Sequence, residues 1–297
     1  MLWQRVVTAL VLLPLLILAI FGLVIEAFAI IIAIVICIAS WEWSGFITRK
    51  THHRAVYVLS VALFIWLIQS YSLPMAYWHG FIMPETLSEW FGPNKLVLQV
   101  LALGALWWLF APILLIIYPK LSQGLVEKPF LMIPVGWLML VPTWIGAVGI
   151  RSMGIEFDPS HGAKILLFVL LIVWAADTGA YFSGKTFGKH KLAPKVSPKK
   201  TWEGVYGGAA LSILVLVLGI YLLHFEREQW LSLAFLTGII VAFSIVGDLT
   251  ESIFKRLTGV KDSGKILPGH GGVLDRIDGI TAVLPLTLLG FSLLGIK

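Results

Sequence analysis

The stretch LSLAFLTGIIVAFSIVGDLTESIFKR, Leu231 to Arg256, decides the fold. Its first 17 residues carry no charged side chain; Asp248, Glu251, Ser252 and Lys255 then follow at i, i+3, i+4 and i+7. About 20 mostly apolar residues are what a helix needs to cross the hydrocarbon of a bilayer. The spacing of the polar residues places them along one helical stripe. A charge at the centre of a spanning helix costs about 2.5–3.5 kcal/mol on insertion scales, so such a carboxylate faces a cavity or a partner. The stripe is therefore either a salt-bridge run that ends a helix or a carboxylate placed to meet a cation.

Nine segments read as spans: 4–22, 24–41, 55–73, 96–118, 131–149, 164–183, 205–224, 231–250 and 278–296. The chain of 297 residues is 59% hydrophobic and 13% charged, against roughly 25% charged in soluble domains. These features predict an all-α polytopic membrane protein with about nine transmembrane helices in a single membrane domain over 1–297. Residues 1–150 read mainly as scaffold helices, and 164–297 as catalytic helices and loops. The first segment lacks an A-x-A-like cleavage site and is followed at once by another apolar run, so it reads as half of a helical hairpin turning near Gly22 to Glu26. Placing the N-terminus in the cytoplasm puts 17 of the 22 basic residues on that side, and the C-terminus on the opposite one. Segment 74–95 is aromatic and amphipathic and is expected along the outer interface. His52, His53 and His79 read as solvated surface residues. The lone Cys37 lies in an apolar run and excludes an internal disulfide.

The chemistry gathers in two loops, 184–204 and 251–277. Asp177 is embedded after LIVWAA, where an ionisable side chain is a functional candidate by default. Lys185, Lys189, Lys191, Lys195, Lys199 and Lys200 follow with no acid before Glu203. Such a run is attracted to anionic headgroups by about 1 kcal/mol per residue, or it clamps a polyphosphate beside a metal. Gly184 and Gly188 between the lysines, with a helix start at Ser197-Pro198, favour the clamp. Gly204, Gly208 and Ser212 recur every four residues and predict two helix backbones in close approach.

KDSGKILPGHGGVLDRIDG, Lys261 to Gly279, holds Pro268-Gly269-His270-Gly271-Gly272, a turn too rich in glycine for a helix. Backbone N–H groups in such a turn converge on phosphate oxygens. Asp275 and Asp278 fall in the first turn of the last helix, where they also suit the helix dipole. Carboxylates from different helices beside this turn make an oxygen-rich site, which favours Mg²⁺ held with substrate phosphates. His270 reads as a hydrogen-bond donor to phosphate at least as well as a ligand.

Ser252, Lys255-Arg256, Lys261-Asp262, Gly264, Pro268, His270-Gly271-Gly272, Asp275-Arg276 and Asp278 stand at the spacing of the phosphatidate cytidylyltransferase (CDP-diacylglycerol synthase) signature, and the chain resembles that family in its bacterial integral-membrane type. DTGAYFSGKTFGKHK and SPKKTWEG upstream are similar to the family as well, so the resemblance covers residues 177–278. It implies transfer of the cytidylyl group of CTP to phosphatidic acid, giving CDP-diacylglycerol and pyrophosphate in phospholipid biosynthesis. It further implies Asp248 and Asp275 as metal ligands, Mg²⁺ with a second cation such as K⁺, supporting acids Asp177 and Asp278, and a homodimer. The remaining catalytic candidates are Lys200, Lys255, Arg256, Lys261, Asp262, His270 and Arg276. Lys185, Lys199, Lys200, Ser252, Lys255, Arg256, Gly271 and Gly272 are the substrate-binding set. The lipid's phosphomonoester already carries about −1.5 to −2 charge if its second pKa is near 6, so no strong general base is needed. The substrates place the site at the cytoplasmic edge of a bacterial inner membrane, with no role for nucleic acid. A CDP-alcohol phosphotransferase-like enzyme and an ion-coupled transporter are the alternatives. The first lacks its aspartate grouping here, and the second is disfavoured by two dissimilar halves.

Overall fold

The computed structural model describes residues 2–72, 96–155 and 158–296. Among these residues nine long helices follow one another: α1 (Leu2–Gly22), α2 (Ile25–Ile47), α3 (Thr51–Ser72), α4 (Leu96–Glu127), α5 (Met132–Ser152), α6 (His161–Phe187), α7 (Trp202–Leu222), α8 (Trp230–Leu257) and α9 (Leu274–Leu293). Among the described residues eight are long and apolar enough to cross a membrane; α1 offers the shorter apolar run Leu10–Gly22. The chain is a multi-pass helical membrane protein, as the sequence predicts, with eight such spans and the shorter α1 among the described residues. The aromatic segment 74–95, with His79, lies outside the described residues.

Several helices run past their apolar stretch because their polar ends remain helical. α6 continues through Gly184 and Lys185 to Phe187, and α8 carries the whole Asp248–Lys255 stripe. The helix start expected at Ser197-Pro198 is instead a strand: β1 (Lys191–Ala193) pairs antiparallel with β2 (Ser197–Thr201), Lys191 opposite Thr201 and Ala193 opposite Ser197. The proline lies near the start of a two-stranded ribbon, where it withholds little from the ladder. α7 begins only at Trp202, capped by Thr201, whose Oγ1 accepts from the Gly204 N–H at 3.2 Å. Glu203 in its first turn accepts from the His190 backbone N–H and pairs with the His190 ring at 2.6 Å, which pins the hairpin to the helix.

Helix association in lipid has little hydrophobic drive, so close backbone approach and interhelical hydrogen bonds decide it. The Gly204, Gly208 and Ser212 stripe does this as the sequence suggested. A Cβ added at Gly208 would stand 2.6 Å from the Ala176 carbonyl oxygen, and one at Gly204 would stand 2.9 Å from that of Ala180. Ser212 Oγ donates to the Ile172 carbonyl at 3.1 Å. α6 and α7 consequently pack more extensively than any other pair of described helices. Buried tryptophans tie the first half together: Trp43 donates to the Met132 carbonyl and Trp144 to that of Ala29, each at 2.9 Å. Arg151, which falls just beyond the span 131–149 read from the sequence, is buried in the last turn of α5 and donates to the Ile20, Leu23 and Pro159 carbonyls. It closes the α1–α2 turn against the start of α6.

Gly208→Leu should lower the unfolding temperature in detergent, because overpacking of this kind costs about 1–3 kcal/mol. Gly238→Leu, where an added Cβ meets nothing within 4 Å, should leave it nearly unchanged.

Candidate active site

The site begins where α8 and α9 cross. Gly247 and Gly279 allow it: a Cβ at Gly247 would lie 2.9 Å from the Gly279 Cα, and one at Gly279 would lie 3.0 Å from the Ser244 oxygen. The residues beside these glycines, Asp248 and Asp278, are thereby carried to one place on adjoining helices. Along α8 the polar stripe is internally bonded, Ser252 Oγ donating to Asp248 Oδ1 at 3.3 Å and Lys255 Nζ to Glu251 Oε2 at 2.6 Å.

Lys255 also reaches Asp275 Oδ1 on α9 at 2.8 Å, its side chain 12% exposed between carboxylates that are 0% and 5% exposed. The other oxygen of Asp275 accepts from the Ser263 N–H at 2.9 Å and the Gly272 N–H at 2.8 Å. Asp275 thus gathers both ends of the glycine-rich loop. Inside that loop Leu267 and Gly271 form a β-bridge, and Gly269 and Gly271 take φ of +75° and +85°, which glycine adopts without strain.

The same loop is held from its other side by Glu42 of α2, a residue that sequence reasoning passed over. Glu42 is 2% exposed, and its Oε2 accepts from the Leu274 N–H at 2.7 Å and from Ser263 Oγ at 3.4 Å. Gly264 and Gly272 pack directly on its carboxyl group. The available signal was an acid within the apolar stretch IASWEWSGF, a position that in a membrane span is rarely without purpose.

A cavity of about 520 Å³ opens onto this crossing. It brings together Asp177 from α6, Lys199 and Lys200 from β2, Asp248 and Lys255 from α8, Asp262 from the loop, and Asp275, Arg276 and Asp278 from α9. Lys200 Nζ pairs with Asp248 Oδ2 at 2.6 Å, and Asp177 lies close enough to feel the charges of Lys200, Asp248 and Arg276. The other candidates lie around the cavity, not on its wall. Ser252 acts on Asp248, and Gly271 and Gly272 belong to the loop that Asp275 and Glu42 hold. Arg256 Nε donates to the Val196 carbonyl at 3.3 Å and fastens the hairpin to α8. Lys185 stands 5.8 Å from the ring centroid of Tyr181, and Lys261 is exposed. His270 lines a neighbouring, apolar cavity.

Five aspartates therefore face three lysines and one arginine on the cavity wall. That balance is acidic, and it suits anions only if cations accompany them. A carboxylate has about four lone-pair sites. Asp248 has one hydrogen bond or ion pair on each oxygen, and Asp275 has one on Oδ1 and two on Oδ2, so both retain acceptor capacity. Among the described residues no three His, Cys, Asp or Glu side chains are grouped to hold an ion alone. The donor set fits a hard cation that completes its shell with phosphate oxygens and water, as Mg²⁺ commonly does.

The fold and this cavity define a polytopic membrane enzyme of the nucleotidyltransferase class, and comparison with known proteins agrees. The chain belongs to the cytidylyltransferase family, whose model matches residues 3–294. A phosphatidate cytidylyltransferase of Haemophilus influenzae is 41% identical over 295 residues, 96% of each chain. One from Pseudomonas aeruginosa is 41% identical over 286 residues, 96% of this chain and 95% of that one. One from Staphylococcus aureus strain COL is 49% identical over 142 residues, 48% of this chain and 54% of its own. Membership of this family sets aside the phosphotransferase and transporter alternatives.

Glu42→Ala should leave the buried Leu274 N–H without its partner, a loss of about 1–3 kcal/mol, read as a lower unfolding temperature together with reduced turnover. Glu42→Gln should keep most of both, because only Oε2 accepts and an amide oxygen can replace it. Equal losses in the two variants would show that the charge, not the acceptor, is what matters.

Proposed function

We propose that the protein transfers the cytidylyl group of CTP to phosphatidic acid, giving CDP-diacylglycerol and pyrophosphate, at the cytoplasmic face of a bacterial inner membrane. The observation that supports this most is the acidic, lysine-laced cavity where α6, β2, α8 and α9 meet in a chain lined with lipid-facing helices. Its relatives over nearly the whole length bear the name of that activity. The excess of basic residues on the loops that frame the cavity supports the cytoplasmic orientation.

In this reading an oxygen of the lipid's phosphomonoester attacks the α-phosphorus of CTP. The bond from that phosphorus to the oxygen bridging the β-phosphate breaks, and pyrophosphate leaves with the electron pair. The attacking dianion has no proton to lose, so the residues act by position and charge. Asp248 and Asp275 would hold Mg²⁺, which when bound neutralises phosphate charge and polarises the reacting group. Lys200 and Lys255, already fixed by Asp248, Glu251 and Asp275, present their charges at defined points instead of sampling solvent. Lys199 adds charge at the β2 side of the same cavity. The loop that Glu42 and Asp275 hold brings Asp262 to the same cavity.

The purified protein with Mg²⁺, CTP and dioleoyl phosphatidic acid in mixed micelles should release pyrophosphate, and ATP, GTP or UTP should replace CTP poorly. Release without lipid, or none from folded protein, would overturn the assignment. Asp248→Asn should lower turnover by about 10²-fold or more while the unfolding temperature stays close to that of the parent.

A further inference from the structure

Beside the polar cavity lies a second one of about 460 Å³, walled by α1, α2, α5, α6 and α9 and lined mostly by apolar side chains. The two share a single lining residue, Arg276. On α9, Asp275 and Asp278 turn towards α8, while Arg276, Ile280 and Leu284 lie at four-residue intervals along the apolar wall. Arg276 thus stands where a polar chamber becomes an apolar one.

The second cavity has definite dimensions. Its wall runs from residue 276 to 284 on α9, 174 to 166 on α6, 36 to 28 on α2, and 12 to 20 on α1. Each span is nine residues, eight steps of about 1.5 Å, or about 12 Å. Half of the roughly 30 Å hydrocarbon core of a bilayer is about 15 Å. A groove of that depth, starting at a phosphate-binding edge, matches one acyl chain of a lipid in the near leaflet. Its far end reaches Ile20, whose carbonyl accepts from Arg151 at 2.6 Å. Its outer wall is α1, whose Leu10, Leu15 and Leu18 are exposed while Ile20 is buried. Thr143 on its lining is already committed, donating to the Met139 and Thr281 carbonyls.

The charges point the same way. Lys200 and Lys255 are paired with carboxylates, whereas the Arg276 guanidinium makes no hydrogen bond or ion pair among the described residues. A guanidinium suits a phosphomonoester through two parallel hydrogen bonds.

We infer that the groove between α1, α2, α6 and α9 holds an acyl chain of the lipid phosphate, and that Arg276 takes that lipid's phosphomonoester, not the triphosphate of the nucleotide. This rests on the reading under Proposed function, since it names where that reaction's lipid binds. Arg276 makes the lipid specificity of the site a matter of two adjoining surfaces, one for the head and one for the tail.

Leu16→Trp and Ile280→Trp fill the groove without replacing any group placed in the catalytic machinery. Each should raise the KM for dioleoyl phosphatidic acid at least tenfold and leave the KM values for dihexanoyl phosphatidic acid and for CTP within about twofold. Arg276→Gln should raise the KM for both lipids and spare that for CTP. Unchanged dioleoyl KM values in the tryptophan variants would overturn the groove assignment, and a raised CTP KM in Arg276→Gln would overturn the arginine's role. A readout independent of turnover uses phosphatidic acid with a diazirine in its acyl chain on the parent protein. Labelling should map to residues 12–20, 28–36, 166–174 and 277–284 and be displaced by unlabelled phosphatidic acid but not by phosphatidylcholine. Labelling elsewhere, or displacement by both lipids, counts against the groove. A parent protein inactive on both lipids refutes the proposed reaction itself; an active parent whose groove variants behave like it refutes only this inference.

Discussion

The ammonium of Lys255, wedged between Glu251 and Asp275, is the constraint on which the catalytic end of the bundle depends. Removing one member of such a buried group strands the others as uncompensated charges, at a cost of about 3–5 kcal/mol, whereas an apolar substitute for the whole group would often be neutral. The arrangement is therefore poorly explained by stability alone. What it provides is geometry. Lys255 occupies one oxygen of Asp275, which leaves the other free for the Ser263 and Gly272 N–H groups, and those two bonds fix the ends of the glycine-rich loop. The crossing at Gly247 and Gly279 brings α8 and α9 near enough for one lysine to serve both.

The parts of this end that the sequence made legible are those encoded locally. The stripe at 248, 251, 252 and 255 is a helical spacing, and the structure pairs its members four residues apart along α8. The small-residue repeat at 204, 208 and 212 likewise needs only one helix to be recognised, although its partner backbone on α6 does not announce itself. Asp275 and Asp278 fall in the first turns of α9, and the Pro268–Gly272 segment turns where glycine permits positive φ.

What stayed hidden depends on long separations or weak signals. Glu42 meets its partners 221 and 232 residues away, and no periodicity in α2 reports such a distance. Arg151 reads as lying beyond its span because arginine at the end of an apolar run usually does; its three carbonyl acceptors come from chain turns that pack together only in the fold. The strands of the β-hairpin are three and five residues long and lie within a lysine-rich run. Neither β-branched alternation nor a turn dipeptide marks them, so Ser197-Pro198 reads more readily as the start of a helix.

Electrostatics then links hairpin, loop and groove. A cavity proposed to bring two phosphate-bearing substrates together would ordinarily be expected to be basic, yet five aspartates outnumber four cationic side chains on this wall. Lysines left free in such a place would bind any passing anion, whereas Lys200 and Lys255 are each held by a carboxylate. Their charge is placed without being surplus, so in the proposed reaction tight anion binding would wait on a cation that arrives with the nucleotide. Arg276 makes no such pair and stands at the boundary with the apolar cavity, whose lining carries no carboxylate. An unpaired guanidinium at a hydrocarbon edge has weak competition from water and none from neighbouring acids on that side. The two substrates would then be sorted by what accompanies their phosphates: a metal and lysines for the soluble one, an arginine and a greasy wall for the one that stays in the bilayer.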